Sequence, residues 1–115
     1  LDNLSLDQNQ LTEIPIEIGN LKGLAGLSAG TNQLRTLPPE IGQLSNLEIL
    51  WLPGNQLSTL PSEISDLTKM SRLNLYDNQL RITDESLAAW LDTTSPDWDN
   101  SQTPTWIFYF PIMYR

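Results

Sequence analysis

The chain contains no cysteine and no histidine. Thiolates and imidazoles are the usual nucleophiles, bases and zinc ligands, so their absence removes disulfide frameworks, cysteine or histidine catalysis and nearly every zinc site. Nothing in the chain calls for a cofactor. A chain without cysteine is also indifferent to redox conditions, so compartment is left unspecified. Long apolar runs are missing too. The longest candidate, Trp106 to Met113, is broken by Pro111 and falls short of the ~20 residues a membrane helix requires, so no membrane span is expected. Cations are scarce: 6 basic residues face 14 acidic ones, for a net charge of −8. Lys22, Arg35, Lys69, Arg72, Arg81 and Arg115 are scattered, and such a surface repels a phosphate backbone, so nucleic acid is not an expected partner. The 115 residues, 39% of them hydrophobic, give room for one globular domain.

What the chain does have is a repeat. Asn-Gln-Leu occurs at Asn9-Gln10-Leu11, Asn32-Gln33-Leu34, Asn55-Gln56-Leu57 and Asn78-Gln79-Leu80, a spacing of 23 residues each time. The same interval relates Leu4, Leu27, Leu50 and Leu73; Leu1, Leu24, Leu47 and Met70; and Leu6, Ala29, Leu52 and Leu75. Downstream it relates Ile14, Leu37 and Leu60; Pro15, Pro38 and Pro61; Ile18, Ile41, Ile64 and Leu87; and Leu21, Leu44, Leu67 and Trp90.

Around Leu4 and Leu6 the apolar residues alternate, as in a strand with one buried face. From Ile18 to Leu21 the step becomes three, as in a helical turn. One strand and one turn cannot bury a core alone, whereas stacked copies can, and a curved coil results. Asn9, Asn32, Asn55 and Asn78 stand where the chain leaves the strand, and their amides suit backbone groups that a sharp turn leaves unpaired. The prolines fit the first position of a short helix. Glu17, Glu40 and Glu63 then fall in its first turn, where carboxylates favour exposed N–H groups. A glycosidase-like pairing of these acids is not expected, because they lie on the outer, convex side without a cleft.

The string L-x-x-L-x-L-x-x-N-x-L followed by x-x-[IL]-P-x-x-[IL]-x-x-L resembles the leucine-rich repeat over residues 1 to about 91. The Leu37-Pro38-Pro39-Glu40-Ile41 form is similar to repeats of Ras-group and bacterial members. The resemblance implies an α/β right-handed solenoid, with short parallel strands on the concave face and short helical turns on the convex one. Units then start at residues 1, 24, 47 and 70, the last with a capping helix over 84–91. Residues 92–115 form a C-terminal flank and hydrophobic tail. Thr83 or Asp84 caps the last helix, and Trp90 is the expected cover for the end of the core. Trp90, Pro96, Asp97, Trp98 and Gln102 resemble the flank that follows repeats in bacterial members. Residues 103–115 match nothing in the family: a strand folded over the coil's end, a docking tail and an altered reading frame all remain open. Leu1 already sits inside the pattern, so further repeats are expected upstream.

In such strands the residues between the leucines face the concave side. Those are Asn3, Ser5, Asp7 and Gln8; Gly26, Ser28, Gly30 and Thr31; Ile49, Trp51, Pro53 and Gly54; and Arg72, Asn74, Tyr76 and Asp77. The large residues gather in the last two units, and exposed apolar groups on a polar sheet mark contact sites. A protein partner is therefore expected on the concave face, through Ile49, Trp51, Arg72, Asn74, Tyr76, Ser28 and Asp7. Trp, Tyr and Arg are the residues that dominate binding hot spots. The resemblance also admits two other roles: the targeting part of a larger signalling enzyme (a GTPase, kinase or ubiquitin ligase), or a structural spacer. Self-association through an exposed N-terminal edge or the hydrophobic tail is a further expectation. Ala29, standing where the pattern asks for leucine, implies a loosely packed second unit.

Overall fold

Leu4, Leu27, Leu50 and Leu73 each occupy the centre of a three-residue strand in the computed structural model, which describes residues 2–99. The strands are β1 (Asn3–Ser5), β2 (Gly26–Ser28), β3 (Ile49–Trp51) and β4 (Arg72–Asn74), and they form one parallel sheet in the order β1-β2-β3-β4. Residues 23 apart pair directly, Leu4 with Leu27, Leu27 with Leu50 and Leu50 with Leu73. Because the repeat length equals the register shift, each leucine column stacks on itself and becomes the core. Leu24, Leu27, Leu34, Leu44, Leu47, Leu50, Leu52 and Leu57 are wholly inaccessible to solvent.

The asparagine column explains how a parallel sheet of such short strands holds its turns. The Asn32 Nδ2 amide donates to the carbonyls of Leu6, at 2.9 Å, and Ala29, at 3.1 Å, while its Oδ1 accepts from the Leu11 N–H at 3.0 Å. Asn55 and Asn78 repeat this one and two units on, donating to Ala29 and Leu52 and accepting from Leu34 and Leu57. Each amide ties two units together, and all three are buried. An unpaired buried amide costs several times what a satisfied one contributes, so the column works only because every unit supplies the same carbonyls. Asn9 is exposed, and its Nδ2 amide donates within its own turn, to the carbonyls of Leu6 and Asp7. The residue before each asparagine is left-handed: Gln8, Thr31, Gly54 and Asp77 have φ of 58°, 55°, 70° and 57°.

The outer turns are tighter than an α-helix. They are 3₁₀ segments, Ile16–Asn20, Pro39–Gln43 and Ser62–Asp66. Pro15, Pro38 and Pro61 sit one place earlier than the sequence implies, at the N-cap, with φ between −66° and −70°. There each carbonyl accepts the first turn's bond, from Ile18, Ile41 and Ile64, at 3.0 Å in all three. Glu17, Glu40 and Glu63 do fall in the first turn. Successive turns approach so closely that a Cβ on Gly42 would lie 2.5 Å from the Glu63 carbonyl oxygen.

The fourth unit closes with a true helix, α1 (Glu85–Thr94), packed against the third 3₁₀ turn. It extends three residues beyond the expected end at 91. Of the two candidate caps, Asp84 is the one used: its Oδ1 accepts from the N–H groups of Ser86, at 2.9 Å, and Leu87, at 3.2 Å. Leu87 and Leu91 are buried as expected, but Trp90 is only half-buried. Trp98 is instead the enclosed ring, 2% exposed, with its indole N–H donating to Asp92 Oδ1 at 3.0 Å. Trp98 therefore takes the covering role expected of Trp90. The chain turns back after α1, with the Ser95 hydroxyl donating to the Leu73 carbonyl at 3.1 Å, and this delivers Trp98 to the end of the core.

The second unit is not open. Ala29 is fully buried along with Leu24, Leu27 and Leu34, and a Cβ on Gly30 would stand 3.1 Å from Pro53. Small residues here are matched by close approach of the neighbouring turn. The expectations for residues 103–115 lie outside the described residues.

Candidate binding surface

The residues between the inward leucines fall into three rows across the concave face. Asn3, Gly26, Ile49 and Arg72 make the first, and Ser5, Ser28, Trp51 and Asn74 the second, both fixed by strand register. Asp7, Gly30, Pro53 and Tyr76 make a third just beyond the strands, where the chains stay bonded through Gln8 N–H to Gly30 (2.9 Å), Thr31 N–H to Pro53 (2.8 Å) and Gly54 N–H to Tyr76 (3.0 Å).

The rows are strongly graded in size. Toward β1 they hold small polar groups; toward β4 they hold Ile49, Trp51, Arg72 and Tyr76. Trp51 is 44% exposed and Tyr76 56%, although both are large enough to drive burial. Strands lie about 4.8 Å apart and diagonal neighbours about 7–8 Å. Trp51 therefore has Arg72 and Tyr76 as its diagonal neighbours on β4 and the chain beyond it. The sheet brings the four together from a segment of 28 residues, Ile49 to Tyr76 inclusive.

The other three expected contact residues are already engaged. The Ser28 hydroxyl donates to the Asp7 carboxylate at 2.6 Å, as does the Gly30 N–H at 2.6 Å, with Ser5 adding a bond at 3.2 Å. The Ser28 hydroxyl, first of all, holds the Asp7 carboxyl below the usual aspartate range. Partial desolvation opposes this, and the Gly30 N–H and Ser5 hydroxyl reinforce it. Asp7, expected as a contact, is thus a clamp between the first two units. Asn74 Oδ1 accepts from the Tyr76 N–H at 2.8 Å and braces the end of β4. Sequence reasoning missed the clamp, although its signal is present. Ser5 and Ser28 share one column of the repeat, and Asp7 and Gly30 share another.

Gly26 leaves a hollow of about 210 Å³ in the first row, lined by Asn3, Ser5, Ser28 and Ile49 over Leu4 and Leu27. A Cβ at this position would run into the amide oxygen of Asn3. A larger groove, about 630 Å³, lies on the flank, along Pro15, Ile16, Pro38, Pro39 and Pro61. Only Glu13 and Glu17 among its lining residues ionise, and both belong to one unit. Its hydroxyls, on Thr36 and Thr59, have no histidine or lysine beside them in the lining, and no acids converge from opposite walls, so the arrangement does not resemble a nucleophile–base pair. Among the described residues there is no group of three or more acidic side chains placed to hold a metal ion, and no helix is long and apolar enough to cross a membrane.

Residues 46–67 match the family model for the leucine-rich repeat. The chain is also similar to a solved leucine-rich-repeat protein of Leptospira interrogans, at 45% identity over 71% of the chain, with a TM-score of 0.70. The chain belongs to the leucine-rich-repeat family. It spans 21% of that solved chain's length. No curated protein matches it. Both findings agree with the parallel sheet and stacked turns seen here, and repeats of this family serve generally as protein-interaction modules.

Proposed function

We propose that this leucine-rich-repeat chain binds a protein partner through the β3–β4 half of its concave face, without catalytic chemistry of its own. The observation that carries this reading is the exposure of Trp51 and Tyr76, at 44% and 56%, on a face whose other half is small and polar. Large rings left in water beside an arginine have the make-up of an interface anchor. Ile49, Trp51, Tyr76 and Arg72 are the contact residues of this reading. Ser28, Asp7 and Asn74 belong to it as supports, since Ser28 and Asp7 bond each other, Asp7 also holds Gly30, and Asn74 Oδ1 is engaged by the Tyr76 N–H.

Four strands make a sheet only some 15–20 Å across. A face that narrow cannot bury the ~800 Å² per partner of a standard interface, so the 115-residue chain alone should bind weakly. Affinity capture with the wild type and with Trp51→Ala/Arg72→Ala/Tyr76→Ala tests the reading, once circular dichroism shows both proteins equally folded. The expected result is a protein retained by the wild type and lost from the triple variant. Retention of the same proteins by both would place the contact elsewhere, and capture by neither would favour a spacer.

A further inference from the structure

The charge on the concave face points to the chemistry of the partner, an argument that rests on the concave-face reading above. The protein as a whole carries a net charge of −8, yet its one concave carboxylate within the three rows, Asp7, is saturated by Ser28, Gly30 and Ser5. The lysines are also occupied, Lys22 by Gln43 at 3.3 Å and Lys69 by Asn46 at 2.9 Å. Arg72 is different. It is exposed at the β4 end of the first row, and among the described residues its guanidinium has no carboxylate or hydrogen-bond partner. Guanidinium groups bind carboxylates through two parallel N–H bonds.

Two strand spacings of about 4.8 Å separate Arg72 from Gly26. At that second point the hollow of about 210 Å³ lies over the backbone of Leu4 and Leu27 with Ile49 as its apolar side-chain wall, and it has room for one aliphatic side chain. We propose that the partner presents a polypeptide segment running across the strands along the Gly26–Ile49–Arg72 row, with one Asp or Glu side chain on Arg72 and one aliphatic side chain roughly 10 Å away in the Gly26 hollow. The surrounding negative field limits the segment to a single acid, because each further carboxylate is repelled without a cation to receive it.

A randomised peptide library displayed on phage and selected on the full 115-residue chain tests this. The expected clones carry one acidic and one aliphatic residue at a constant spacing, and they are lost on Trp51→Ala. In synthetic versions, replacing the acid by its amide weakens binding to the wild type about tenfold, the effect of one charge-assisted bond. Against Arg72→Gln the acid and amide peptides bind alike. Trimming the aliphatic residue to alanine weakens binding to both proteins. Clones that depend on Trp51 but carry no acid, that are enriched in lysine and arginine, or whose acid keeps its advantage on Arg72→Gln overturn this inference and leave the concave-face reading intact. Clones indifferent to Trp51→Ala, or no clones at all, overturn both.

Discussion

Asp7 shows how much one side chain can carry at a junction between units. Its carboxylate collects the hydroxyl of Ser28, the N–H of Gly30 and the hydroxyl of Ser5, and these bonds favour its charged form. The folded pKa lies below that of the unfolded chain, so the group's contribution is complete above the unfolded value, near ~3.9. It is lost as pH falls through the folded value. Asp7→Asn should therefore melt below the wild type at neutral pH, with the gap closing in acid below about pH 4. Thermal melts of both proteins across that range check it; a gap that stays constant with pH would show that the clamp is not ionic. Much at this scale was legible beforehand. The asparagine column could be assigned from its spacing, because one amide and one sharp turn repeat together. The Asp7 clamp was not, since hydrogen bonds between units depend on which small residues share a column, and periodicity of apolar residues does not report that.

Among the elements, the strands and the core columns follow from the 23-residue interval alone, because register and repeat length coincide. The outer turns were legible as helical but not as 3₁₀. Apolar spacing of three fits either form, and the close contact of Gly42 with the Glu63 carbonyl is a property of stacking that no single unit encodes. The end cover was misplaced for a similar reason. Trp90 holds the repeat position, but the turn anchored by Ser95 on Leu73 brings Trp98 into the core instead. Trp98→Ala should cost about 3–5 kcal/mol, the range for deleting a buried large aromatic, and clearly more than Trp90→Ala. Denaturant melts of the two variants provide the comparison; a larger loss at Trp90 would return the covering role to that residue.

For the whole molecule, stacking puts residues from consecutive units side by side and grades the concave face from small and polar at β1 to large at β4. The candidate site was legible in composition, since Trp51, Tyr76 and Arg72 stand out among the concave positions. What the sequence did not reveal is that Ser28 and Asp7 bond each other and that Asn74 Oδ1 braces Tyr76, which leaves Ile49, Trp51, Arg72 and Tyr76 as the proposed contact set. The most direct test of this account is hydrogen–deuterium exchange on the chain, alone and with the protein recovered by affinity capture. Added protection is expected only in residues 49–54 and 72–77, with the proline-lined flank along Pro15, Pro38 and Pro61 unchanged. Protection on that flank or on the 3₁₀ turns, with β3 and β4 unaltered, would contradict it.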